Sequence, residues 1–147
     1  MENIRKIIES VHIFTPQEIE IAVDLARERL AKGEQSGYYF VFAQDCEHTI
    51  GYICYGPIAG TRGSFDLYWV AVDKKFHRAG AGRKLLSHTE KLIATKGGRR
   101  IYIETSSRDV YEVARQFYIH LGYKEEAVVR DFYSPGDDKI IYIKEIS

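Results

Sequence analysis

Seven consecutive residues, His77-Arg78-Ala79-Gly80-Ala81-Gly82-Arg83, carry the plainest chemical signal in this chain. They follow the apolar run Val70-Ala71-Val72 and lead into Lys84-Leu85-Leu86. Glycine and alanine have nothing that covers a backbone N–H. The first N–H groups of a helix have no intrahelical partner and lie at the positive end of its dipole. A strand, a glycine turn and a helix start therefore make an anion site, usually for phosphate. Two familiar phosphate binders fail on spacing. A P-loop needs lysine and then Ser/Thr directly after its last glycine, and here Arg83-Lys84-Leu85 follows Gly82. The dinucleotide fingerprint needs a small residue three places after Gly82, and that residue is Leu85.

A second group of residues follows. Ile101-Tyr102-Ile103-Glu104-Thr105 reads as a strand ending near a carboxylate. After a short polar link comes Tyr111-x-x-Ala114-x-x-Phe117-Tyr118-x-x-Leu121-Gly122-Tyr123. In order, spacing and residue type, the two segments resemble the GNAT superfamily of acetyl-CoA-dependent N-acetyltransferases. The first matches its Gln/Arg-x-x-Gly-x-Gly/Ala turn, with His77 where Gln or Arg is usual. The second matches its Asn-x-x-Ala-x-x-x-Tyr-x-x-x-Gly-Phe/Tyr pattern, with Tyr111 in place of Asn. The resemblance spans roughly residues 36–147, and its second half is most similar to the ribosomal-protein alanine acetyltransferases.

The resemblance implies an α/β (α+β) fold. It is a single domain over residues 1–147, with a central mixed, mostly antiparallel sheet splayed between two strands and flanked by about four helices. It also implies acetyl-CoA as cosubstrate and no metal. The backbone of residues 78–83 would hold the pyrophosphate, with Arg78 and Arg83 adding charge. The cofactor-binding set is Val70, Ala71, Val72, His77, Arg78, Ala79, Gly80, Ala81, Gly82, Arg83 and Tyr111. Backbone groups of Val70–Val72 would bond the pantetheine amides, and an N–H there would stabilise the oxyanion. Tyr118 stands at the position of the family's general acid. A phenol near ~10 and a thiol near ~8.5 are close enough in proton affinity to exchange a proton. Glu104 is the candidate base, directly or through water, with Asp66 as an alternative on the preceding strand. The implied reaction is acetyl transfer to a primary amine by direct attack in a ternary complex. A domain that binds acyl-CoA without turnover, as a sensor or interaction module, is the competing reading.

The positioning elements are legible from pattern. In residues 15–32, Thr15, Pro16 and Glu18 form a helix start with a capping box, Phe14 and Ile19 a staple, and Gly33 a stop. Its apolar face is read as Ile19, Ala22, Val23, Ala26 and Leu30. Residues 38–43 and 49–56 read as a hairpin and 66–72 as the central strand, followed by a helix over about 80–96 and a strand over 100–105. A helix from Asp109, capped by that residue with Glu112, is expected to bury Val113, Ala114, Phe117 and Leu121. Strands near 124–132 and 139–145 flank the turn 134–138. Residues 4–11 read as helix, so the strand that usually opens this family is either absent or supplied by a partner chain. The sheet edge left open is a reason to look for a homodimer.

Composition excludes several classes. Lys+Arg and Asp+Glu both number 21, so no net field draws the chain to nucleic acid or anionic lipid. No apolar run approaches ~20 residues and no signal-peptide pattern appears, which implies a soluble, cytoplasmic protein outside the membrane. Cys46 and Cys54 flank the hairpin turn, and a reducing compartment keeps them as thiols. Neither has a neighbour at metal-ligand spacing. Tyr55, Tyr111 and Tyr133 lie near loops that rim the acceptor site, and residues 56–63 form a hinge-rich loop beside it. Aromatics with Glu125, Glu126, Asp131, Asp137 and Asp138 favour a cationic acceptor, a small-molecule amine or a peptide or protein amine.

Overall fold

The computed structural model describes residues 2–11, 14–46 and 48–146. Two helices, α1 (Glu2–Val11) and α2 (Pro16–Lys32), precede the hairpin β1 (Tyr39–Asp45) and β2 (His48–Pro57). Then come β3 (Ser64–Val72), α3 (Ala81–Thr95), β4 (Arg100–Ser106), α4 (Glu112–His120) and the hairpin β5 (Lys124–Ser134) and β6 (Asp137–Glu145). The sheet order is β1-β2-β3-β4-β6-β5, and only β3 and β4 run parallel. The sheet edges are β1 and β5.

Two cores sandwich the sheet. On one face Leu85, Leu86 and Ile93 of α3 and Tyr118 of α4 pack on Ile53, Phe65, Leu67, Ile101 and Ile103. On the other, Ile4, Ile7 and Ile8 of α1 and Ala22, Val23 and Ala26 of α2 cover Tyr52, Cys54 and Ala71. The capping box forms as read: Thr15 Oγ1 accepts from the Glu18 N–H, and Glu18 Oε1 accepts from the Thr15 N–H. Gly33 caps the far end with φ of 60°.

Some sequence expectations fail in detail. Leu30 is 74% exposed and Val113 77% exposed, so neither belongs to the buried stripe assigned to its helix. Instead, α4 buries Arg115 and Tyr118. A short 3-10 turn over Asp109–Tyr111 replaces the expected capping box. Glu112 instead accepts from Arg115 Nη2 at 2.6 Å and from Gln116 Nε2 at 3.0 Å. Cys46 and Cys54 are free, and burial pushes the Cys54 thiol up to about 12.

Candidate active site

The sheet opens in its middle. Pairing between β3 and β4 runs from Ser64↔Arg100 to Leu67↔Ile103 and stops there. At that point β3 carries a bulge: Tyr55 of β2 pairs with Leu67 and Cys54 with Trp69, which leaves Tyr68 without an opposite residue. A bulge bends its strand and increases the local twist. It also shifts the alternation. Phe65 and Leu67 face the α3–α4 core, whereas Trp69 and Ala71 face α1 and α2. Beyond Leu67, Val70, Ala71 and Val72 keep β2 on one side and have no strand ladder on the other. The result is a slot between β3 and β4 lined by unpaired backbone.

At the end of β3 lies the turn singled out by sequence. Asp73 Oδ1 accepts from the Lys75 N–H at 3.0 Å, which tightens the turn. His77 Nε2 donates to the Val72 carbonyl at 2.7 Å, so this ring braces the turn. Gly80 has φ of 76°, a left-handed conformation that favours glycine. The first bond of α3 runs from the Lys84 N–H to the Gly80 carbonyl, so the N–H groups of Ala81, Gly82 and Arg83 precede the helical ladder. Gly82 has a second reason to lack a side chain: a Cβ there would meet the Phe117 ring at 3.1 Å. That contact brings the start of α3 against α4.

Across the sheet, on the α1–α2 face, the slot meets a cluster of charges and rings. Glu104 is the first residue of β4 past the last β3 pair, and its Oε1 lies 3.1 Å from Lys139 Nζ on β6. Asp66 sits one pair before the split. Burial first, and the Glu104 carboxylate second, push Asp66 up to about 6, with Lys139 pulling the other way. Burial, followed by Asp66, Tyr38, Cys54 and Glu104, raises the Tyr68 phenol to about 12. The β5–β6 hairpin supplies the roof. Arg130 to Tyr133 on β5 stand opposite Asp138 alone on β6, a wide bulge held by Asp131, whose N–H donates to Asp138 Oδ1 at 2.9 Å. It carries Phe132 under Lys139 Nζ, 4.2 Å from the ring centre. Tyr133 is raised by burial and by Glu104, Asp137 and Glu18.

Tyr118 lies on the opposite face. It is 8% exposed within the α3–α4 core, beside Phe117, Tyr123 and Tyr142, and burial pushes its hydroxyl well above the usual phenol range. Candidate acid and candidate base thus flank the sheet from its two sides. Tyr111 is held differently: its hydroxyl donates to Glu18 Oε2 at 2.5 Å and its ring lies edge-on to Phe14. Arg108 completes that knot, with Nη2 3.3 Å from Glu18 Oε1 and Nε 3.5 Å from Asp137 Oδ2. The knot ties the start of α2 to the β4–α4 link and the β5–β6 turn. Among the described residues no cluster of His, Cys, Asp and Glu is arranged to hold a metal ion, and no helix is long and apolar enough to cross a membrane.

Lys139, the Tyr68 bulge and the buried Arg115 had no distinctive sequence signal. Arg115 Nη1 donates to the carbonyls of Ser106 and Arg108 at 2.7 and 2.9 Å, which fixes the end of β4 beside the site.

The raised Asp66 has a consequence for stability. The unfolded chain loses this proton near ~4, the folded chain only near 6. Between those values the folded state holds more protons, so stability falls as pH rises and the full penalty is present above the folded value. Asp66→Asn removes it. The variant is expected to be about 1 kcal/mol more stable than wild type at pH 8, after allowance for solvent screening of a half-buried group. The gain should vanish near pH 3.5. Urea titrations at the two pH values measure it; equal wild-type and variant stabilities at pH 8 would show that the carboxylate is not strained.

The Acetyltransferase (GNAT) domain pattern matches residues 35–125. A curated relative, the [ribosomal protein bS18]-alanine N-acetyltransferase of Salmonella typhimurium, is 32% identical over 84 residues, 55% of either chain. The chain thus matches that relative over about half its length. A solved GNAT-family protein from Desulfovibrio desulfuricans is 42% identical, with a TM-score of 0.95 over 99% of this chain and 91% of its own. An aminoglycoside 6′-N-acetyltransferase crystallised with coenzyme A shares the fold, with a TM-score of 0.77, 19% identity and 99% and 90% coverage.

Proposed function

Because the chain belongs to the GNAT acetyltransferase family, we propose that it transfers an acetyl group from acetyl-CoA to a primary amine by direct attack in a ternary complex. The observation that carries this reading is the slot between β3 and β4. It opens toward the bare N–H groups of α3 and also borders the Asp66–Glu104 pair. The side of Val70–Val72 turned away from β2 has no strand ladder and suits the pantetheine amides as an added strand would. The N–H groups of Ala81, Gly82 and Arg83 suit the pyrophosphate, with the helix dipole behind them.

The chain's own groups then divide the proton work. Glu104, or Asp66 beside it, takes the proton of the acceptor ammonium within hydrogen-bond reach. An N–H of β3 facing the slot stabilises negative charge on the thioester oxygen as the amine attacks. Tyr118 offers its proton to the departing sulfur. Its raised value keeps it protonated throughout the working range, so the donor is always present. The carboxylates and the rings of Tyr68, Phe132 and Tyr133 favour a cationic acceptor. A cytoplasmic location fits the two free thiols, and pairing of two copies fits the open β1 edge.

The decisive experiment measures free thiol released from acetyl-CoA across a panel of small amines, polyamines and peptides. Release with at least one primary amine supports transfer. Binding of acetyl-CoA with no release across the panel would favour a non-catalytic acyl-CoA sensor. The anion site has its own test. Arg83 is exposed at the helix start, so Arg83→Glu should leave the melting temperature unchanged. It should weaken acetyl-CoA binding by about 10- to 100-fold, the size expected for losing a charge-assisted bond to phosphate. Unchanged affinity by calorimetry would move the pyrophosphate elsewhere.

A further inference from the structure

An acceptor nitrogen must come within hydrogen-bond reach of the group that takes its proton. One nitrogen already meets that requirement. Lys139 Nζ lies 3.1 Å from Glu104 Oε1, with its stem largely buried and its ammonium 4.2 Å from the centre of the Phe132 ring. Lys139 pairs in the sheet with Ser106 of β4, so its backbone is fixed two residues along from Glu104. Asp66, beside the split, also feels its charge. An external amine deprotonated at Glu104 Oε1 would take the position this ammonium holds. A tethered amine so placed has a high effective concentration and needs no binding step.

We propose that Lys139 is itself an acetyl acceptor of the site it lines, modified in cis when acetyl-CoA is bound and no external amine has displaced it. The inference rests on the acetyl-transfer reading. Lys139 gives one ammonium proton to Glu104, and its Nζ lone pair forms the bond to the thioester carbonyl carbon. The carbon–sulfur bond breaks, and the sulfur leaves as the CoA thiol after taking a proton from Tyr118. The attacking nitrogen sheds its second proton, which returns through solvent to the Tyr118 phenolate, and Glu104 releases its own proton to water. The lysine becomes a neutral amide, so the ion pair with Glu104 is lost and the carboxylate is left to an external ammonium. Acetylation would thus exchange a resident cation for an open site, once per chain.

The test uses the full chain with acetyl-CoA alone, followed by intact-mass and peptide mass spectrometry. One acetyl group per chain is expected, located on Lys139, at a rate per chain that does not change on dilution. Lys139→Arg should accept none at that position, and Glu104→Gln should slow the modification by ~10²-fold or more. Three results would overturn the proposal while leaving acetyl transfer intact. One is an unmodified Lys139 in a chain that releases thiol with an external amine. The second is a rate per chain that rises in proportion to protein concentration. The third is acetylation spread over exposed lysines at the same rate in wild type and Glu104→Gln. Failure to bind acetyl-CoA at all would remove the acetyl-transfer reading and this inference with it.

Discussion

Tyr118→Phe is expected to lower kcat by about 10²-fold, the lower end of what general acid catalysis contributes, while stability and acetyl-CoA affinity hardly change. The ring makes the packing. It lies 5.8 Å from Phe117, 6.1 Å from Tyr123 and 6.3 Å from Tyr142, centre to centre, and phenylalanine keeps all three contacts. Only the hydroxyl is lost. Under the proposed mechanism the expected size is small because burial raises this phenol further above a thiol near ~8.5, so the proton would transfer late, after a hydrogen bond to the developing thiolate has formed. The comparison that isolates the role is an activated aryl thioester, whose sulfur leaves without help. With that substrate the deficit should shrink toward wild type. Full activity of Tyr118→Phe with acetyl-CoA would return the residue to the core and leave the sulfur to water.

Gly56→Ala should cost more stability than any other single methyl discussed here. A Cβ at Gly56 would lie 2.0 Å from the Gly37 carbonyl oxygen and 3.2 Å from Tyr68 Cε2. The first is backbone, held in its own turn by the Gly37 N–H to the Glu34 carbonyl at 3.1 Å. It cannot swing aside as a side chain would, so the strands must shift. Overpacking of this kind costs typically 1–3 kcal/mol, and a fixed backbone atom puts the expectation at about 3. For a chain of this size that is a fall of roughly 10 °C in melting temperature. Gly60→Ala is the control: φ is 78° but nothing lies within 4 Å, so only backbone strain of about 1 kcal/mol is expected. Equal losses in the two variants by calorimetry would show that the β2–turn contact is soft. Because Gly56 pairs with Asp66, the damaged chain should also lose acetyl transfer.

The contrast between these residues explains what sequence could and could not reveal. The α2 capping box and the turn before α3 were legible because each is local: a few neighbouring residues determine both the conformation and its hydrogen bonds. The split could be expected only through the family resemblance. Its cause could not be read, because the Tyr68 bulge depends on the register of β2 against β3 and has no glycine or proline to mark it. Apolar spacing counted from a helix start at Asp109 turns Val113 inward. With Asp109–Tyr111 in a 3-10 turn and α4 starting only at Glu112, the buried positions are Arg115 and Tyr118. Arg115 is tolerated there because two backbone carbonyls and Glu112 satisfy its guanidinium. Tyr111, read as a cofactor contact, bonds a carboxylate 93 residues away, a partner no local pattern names. Lys139 was invisible for the same reason: its meaning comes from Glu104 on another strand.

The Tyr68 bulge places the two halves of the sheet one codon apart. An in-frame loss of Tyr68 would let Leu67 and Trp69 follow each other opposite Tyr55 and Cys54 in a regular ladder. The bend would relax, and β3 could continue alongside β4 past Leu67. Such a descendant would keep its helices, its turn and its carboxylates, and should fold, yet fail to bind acetyl-CoA because the slot had closed. In a lineage, then, the proposed site would be lost by a single deletion that touches none of the residues assigned to the chemistry. One insertion would reopen it, and an alignment would show either event only as a one-residue gap.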